Sequence, residues 1–92
     1  MARYKIIIRA SAAKELALIP HRRTRERIIG RIGSLADDPK TGSGIRKLSV
    51  SDFHYRARQG VYRIIYKVDE DENVVTVTRI RHRKDAYRKN LH

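Results

Sequence analysis

Residues 54–87 read HYRARQG-VYRIIYKV-DEDEN-VVTVTRI-RHRKDAY, and their periodicity organises the rest of the chain. Two alternating runs, 61–68 and 74–80, flank a short acidic connector at 69–73. β-Branched and aromatic residues dominate both, which predicts a β-hairpin. A third strand, 54–59, precedes them and is broken by Gly60, a residue that permits a turn or bulge. Alternation puts His54, Arg56 and Arg58 on one face of that strand and Tyr55 and Ala57 on the other. In the next strand Tyr62, Ile64, Tyr66 and Val68 form one side, and Arg63, Ile65 and Lys67 the other. No acidic residue lies between His54 and Val68, or between Asn73 and Lys84. The expectation is a sheet with one face on a core and a cationic face left open.

Working outward, the whole chain of 92 residues is long enough for one domain with a modest two-layer core. It carries 22 Lys and Arg against 10 Asp and Glu, a net charge of +12. Such an excess favours polyanionic partners, nucleic acid first and an acidic protein second. A solvated basic surface is the plainer alternative. The absence of cysteine excludes a disulfide framework, a thiol nucleophile and a thiolate metal site. The N-terminal stretch lacks the apolar run of a signal peptide, and Ile6, Ile7 and Ile8 are too few to span a bilayer. A cytoplasmic protein is expected.

Upstream of the hairpin, residues 4–9 form a short β-rich segment. Ser11 offers an N-cap for a helix over 12–19, and Pro20 separates it from a second helix over 21–36. Ile28, Ile29, Ile32 and Leu35 recur in that helix at spacings of three and four, with Arg22, Arg23, Arg25, Arg27 and Arg31 around the remainder. Gly30 and Gly33 each cost about 1 kcal/mol relative to Ala in a helix interior, and close packing of the helix is the expected return. Asp37-Asp38-Pro39 ends it, 40–44 is a surface loop without P-loop spacing, and 45–50 is another strand. The order β–α–α–β–β–β–β describes an α+β domain, with a helical hairpin packed on a mostly antiparallel sheet of four to five strands.

Few residues could carry chemistry. The acids cluster in turns at 37–38 and 69–72, where solvation explains them. His21, His54, His82 and His92 show no metal-ligand spacing, and no serine sits in a nucleophile elbow. What remains is His54, Arg56, Arg58, Arg63, Arg81, His82, Arg83 and Tyr87, a set suited to phosphodiester chemistry. Guanidinium groups hold phosphate oxygens and stabilise transition-state charge. A near-neutral group can take the ribose 2′-OH proton, and aromatic rings can stack on an unpaired base. No metal or cofactor is needed. These residues serve an RNA-cleaving site and a passive RNA-binding face equally well.

RARQGVYRIIYKV (residues 56–68) and VTRIRHRKDAYR (77–88) resemble the RelE/ParE toxin superfamily of type II toxin–antitoxin systems. The first is similar to the family's basic–Gly–Tyr–Arg–apolar–apolar–Tyr strand, the second to its His-Arg-x-Asp-x-Tyr ending. The ending points to the RelE-like branch, whose members are ribosome-dependent mRNA endonucleases. The resemblance implies that Arg63 and Arg83 hold the scissile phosphate, that Arg56 assists the transition state, and that Tyr87 orients or stacks on the substrate. His54 falls where RelE-like members have a lysine proposed as general base. It is either a base better suited than lysine or a bystander at a strand end, and His82 competes for the role. Arg58 and Arg81 would bind RNA. Arg22, Arg23, Arg25 and Arg27 are ribosomal RNA contacts or a solvated face, and Tyr62 and Tyr66, on the core face, are expected as packing residues rather than base platforms. Implied partners are the 70S ribosome with mRNA and an acidic RelB-like antitoxin, a heterotetramer with it being one assembly. The alternatives are a ParE-like gyrase inhibitor and a non-cleaving member that binds RNA or antitoxin.

Overall fold

The computed structural model describes residues 3–48 and 53–84. Strand β1 (Lys5–Ile8) leads into helices α1 (Ala10–Ala17) and α2 (Arg22–Ser34), then β2 (Ile45–Lys47), β3 (His54–Gln59), β4 (Tyr62–Asp69) and β5 (Val74–His82). The five strands are ordered β1-β5-β4-β3-β2. All neighbours are antiparallel except β1 and β5. The expected α+β architecture is present, with two helices on a five-stranded sheet.

The core lies between helices and sheet. Ala12, Ile19, Ile28, Ile32 and Leu35 meet Tyr55, Ala57, Ile64, Tyr66, Val68, Val75, Val77 and Ile80, all buried. Tyr66 donates from its hydroxyl to the Pro39 carbonyl at 2.6 Å and stacks on Tyr55, their centroids 5.9 Å apart. Burial pushes its pKa up, and the hydrogen bond satisfies the one polar atom it takes inside. Tyr66 is thus a packing residue, as expected.

Several local expectations give way. Ile29 is 53% exposed, outside the apolar stripe its spacing suggested. Nothing lies within 4 Å of a Cβ built on Gly30 or Gly33, so close helix packing does not account for them. Strand β2 stops at Lys47, and the rest of the strand expected over 45–50 lies beyond it or outside the described residues.

Ser11 does not cap α1, which begins at Ala10 with Arg9 in the N-cap position. A tertiary demand wins instead. Strand β1 covers β5 only as far as Val77, leaving the next backbone groups of β5 at an open edge. The Ser11 hydroxyl donates to the Thr78 carbonyl at 2.8 Å, and one turn later the Glu15 carboxylate accepts from the Ile80 N–H at 2.7 Å. Side chains of α1 thus stand in for the missing strand, which protects an edge that would otherwise invite pairing. Glu15 also accepts three hydrogen bonds from the Arg79 guanidinium, the shortest at 2.9 Å.

A bulge decides where the arginines of β5 point. Ile65 pairs with Arg79 but Tyr66 pairs with Val77, so Thr78 is an extra residue on β5. Its hydroxyl donates to the Ile65 carbonyl at 3.1 Å. An extra residue switches the parity of alternation. Val75 and Val77 are buried before it and Ile80 after it, and Arg81 comes level with Arg63.

Candidate functional site

Register places Arg58, Arg63 and Arg81 opposite one another on β3, β4 and β5. Directly opposed residues of antiparallel strands lie about 4.5–5.5 Å apart at Cα, so three guanidinium groups rise from one rung. The Arg83 N–H donates to the Val61 carbonyl at 2.8 Å and prolongs the pairing by one step. Arg58, Arg63 and Arg83 then line a cleft of about 140 Å³, walled by Gly60, Val61 and Tyr62. Gly60 has φ 61°, the left-handed conformation that the short β3–β4 turn requires.

A second cleft of about 200 Å³ adjoins the first through Arg58 and is lined by Gly44, Ile45, Arg46 and Arg56. The Arg58 N–H donates to the Gly44 carbonyl at 3.1 Å, and Arg31 holds the Ser43 carbonyl. These bonds seat the loop against β3. Arg46 was not singled out from sequence. Its outward place in the strand pattern was visible, but its register opposite Arg56 was not.

Arg56 belongs to the open face yet is only 9% exposed, which corrects the picture of a uniformly open cationic face. Strands β2 and β4 flank it on both sides. Its guanidinium pKa is lowered by burial first, then by the charges of Arg58, Arg63 and Arg46. Among the described residues the ion pairs are Arg22–Glu26, Lys40–Glu70 and Arg79–Glu15. None involves Arg56, Arg58, Arg81 or Arg83. Desolvation and like charge both disfavour the charged form of Arg56 until an anion comes near it. The arrangement is therefore built to gain most from a phosphate, through charge-assisted hydrogen bonds.

The other sequence candidates separate from this cleft. His54 is half-buried opposite Lys67, four residues along β3 from Arg58. At about 3.3 Å per residue that is roughly 13 Å. His82 follows Arg81 on β5 and meets Tyr62 edge-on, with centroids 5.3 Å apart and planes at 81°. The Lys84 N–H donates to its Nδ1 at 3.1 Å, which puts the proton of the neutral ring on Nε2. Tyr87 lies outside the described residues. On α2, Arg25 donates to the Ile19 carbonyl at 2.5 Å and Arg22 pairs with Glu26 at 3.0 Å. Arg23 and Arg27 are exposed.

A family model described as the ParE toxin of type II toxin–antitoxin systems matches residues 6–87. This chain belongs to the RelE/ParE toxin superfamily. Toxin RelG of Mycobacterium tuberculosis is 29% identical over 94% of this chain and 98% of its own length. Toxin RelE of the same organism is 30% identical over 95% of this chain and 89% of its own. The RelE–RelB complex of Pyrococcus horikoshii contains a chain that is 27% identical, with a TM-score of 0.78 over 88% of this chain and 96% of that one. The RelE/ParE toxin fold is thus present across nearly the full length, and the protein is a toxin of a type II toxin–antitoxin system.

Proposed function

We propose that this RelE/ParE toxin is a ribosome-dependent endoribonuclease of the RelE-like branch, cutting mRNA in the ribosomal A site. The observation that carries the reading is the cleft of Arg58, Arg63 and Arg83, with the buried and uncompensated Arg56 beside it. In the proposed reaction the ribose 2′-oxygen attacks the adjacent phosphorus and loses its proton. The 5′-oxygen leaves and gains one, giving a 2′,3′-cyclic phosphate and a free 5′-hydroxyl. Arg63 and Arg83 hold the non-bridging oxygens as negative charge grows on them, while Arg58 and Arg81 bind the flanking backbone. Tyr87 would orient or stack on the substrate.

The natural inhibitor is proposed to be an acidic, RelB-like antitoxin. Relatives such as the Pyrococcus horikoshii toxin were solved as RelE–RelB complexes, and an acidic chain would offset the net charge of +12. A heterotetramer is the assembly we favour. Among the described residues no helix is long and apolar enough to cross a membrane, and the proposed site of action is the cytoplasm.

The matching family model carries the ParE description, and the second reading proposed is inhibition of DNA gyrase. One paired experiment decides between them. A defined message is translated in vitro with the toxin and its cleavage mapped by primer extension, beside a gyrase supercoiling assay. Discrete A-site cuts with unimpaired supercoiling are expected. Blocked supercoiling with an intact message would overturn the nuclease reading.

A further inference from the structure

On the other side of the β3–β4 turn from the arginine cleft lies a larger cavity, about 380 Å³, which the phosphate chemistry does not use. Helix α2 contributes Thr24 and Arg27 to it, His21 sits just before that helix, and the sheet contributes Gln59, Tyr62 and His82. Gly60, Val61 and Tyr62 line both cavities, so a single thin wall separates them. Nothing lies within 4 Å of a Cβ built on Gly60, so open space adjoins the turn at that residue.

The lining has the character of a base-binding pocket. Small-ligand cavities typically start at about 300 Å³ and combine apolar walls with a few convergent polar groups. The edge-on geometry of Tyr62 and His82 fixes two half-buried rings at the pocket wall. His21, Thr24 and Gln59 supply donors and acceptors of the kind that read a base edge. His21 is not needed as a helix cap, because no side-chain cap bond forms at that position. Arg27 adds charge at the rim without a carboxylate partner among the described residues.

We infer that this cavity receives one unpaired base of the RNA whose phosphate occupies the Arg58–Arg63–Arg83 cleft, the strand crossing the turn at Gly60. The inference rests on the reading of the arginine cleft as a phosphate site. Unpaired RNA bases are commonly held by stacking on aromatic rings while the backbone follows a cationic groove. The pocket would set nucleotide preference next to the cut.

The test compares binding of a short single-stranded 2′-O-methyl RNA, which cannot undergo 2′-oxygen attack, with an abasic oligomer of the same length. The full chain should prefer the base-bearing RNA by about tenfold, a typical stacking contribution. That ratio should fall toward one in the double variant His21→Ala with Gln59→Ala. It should fall likewise in Tyr62→Leu, which retains apolar bulk where the ring packs on the core. Arg58→Ala should weaken both oligomers alike and keep the ratio. A ratio near one in the unaltered chain, or one unmoved by the pocket variants, overturns the base pocket. Abasic binding unaffected by Arg58→Ala would instead overturn the phosphate cleft, so the two failures are distinguishable.

Discussion

Arg56 is the residue whose charge the fold accommodates least comfortably. It is nearly buried, and the groups that act on its pKa after burial are three more arginines. Burying a charge without a paired counter-charge costs free energy that an apolar side chain of similar length does not incur. Arg56→Met is therefore expected to raise stability by about 1 kcal/mol, seen as a higher melting temperature, while weakening RNA binding. A variant that is both less stable and fully active would remove Arg56 from the cationic site. His54 is predicted to matter less than its chemistry suggests. Roughly 13 Å of strand separates it from Arg58, too far for a proton acceptor at a phosphate in the cleft. His54→Ala should keep the single-turnover cleavage rate within about threefold. A loss of a hundredfold would show that the substrate reaches His54 after all.

Strand β5 is where element-level physics was hardest to see in advance. Strands β3 and β4 were legible because Tyr55 and Ala57, then Ile64, Tyr66 and Val68, alternate without interruption. In β5 the buried residues run Val75, Val77, Ile80, and the one spacing of three is the mark of the bulge at Thr78. The burial of Arg56 was illegible because it depends on which strands flank β3, and Ser11 misled because its hydroxyl answers a carbonyl 67 residues away. The same edge gives a stability prediction. Glu15→Ala strands the Ile80 N–H and the Arg79 guanidinium, and removal of a charged hydrogen-bond partner typically costs about 1.5–3 kcal/mol. Chemical denaturation should show that loss, and an unchanged midpoint would mean water replaces Glu15 freely. In the loop after α2, the Thr41 hydroxyl and the backbone N–H groups of Thr41 and Lys40 hold the Asp38 pKa below its ordinary value. A depressed folded-state pKa contributes stability above the unfolded value, and that contribution disappears as pH falls through the folded one. Melting temperatures should therefore drop on acidification below about pH 4. Thr41→Val should reduce the pH dependence, and an identical acid profile would contradict the role of Asp38.

At the scale of the whole sheet, strand β4 carries charge of opposite sign beyond its two ends. Strand β4 begins at the arginine cleft and ends at the acidic turn of Asp69, Glu70, Asp71 and Glu72, seven residue steps or about 23 Å away. Glu70 anchors that turn to Lys40 and to the Tyr4 hydroxyl. A polyanion approaching this surface is thus steered to one end of the sheet, where Arg58, Arg63 and Arg83 converge. An acidic antitoxin covering that end would block the cleft and relieve the repulsion around Arg56 together. If this cluster performs the proposed phosphodiester cleavage, Arg63, its middle member, carries the largest share. The most direct measurement is the single-turnover cleavage rate of a ribosome-bound message by the unaltered toxin and by Arg63→Ala, with circular dichroism confirming that both are folded. An intact fold and a rate lower by about 10²–10³ are expected, the usual loss when one transition-state charge clamp is removed. A folded Arg63→Ala toxin that cuts the message at the normal rate would contradict that expectation.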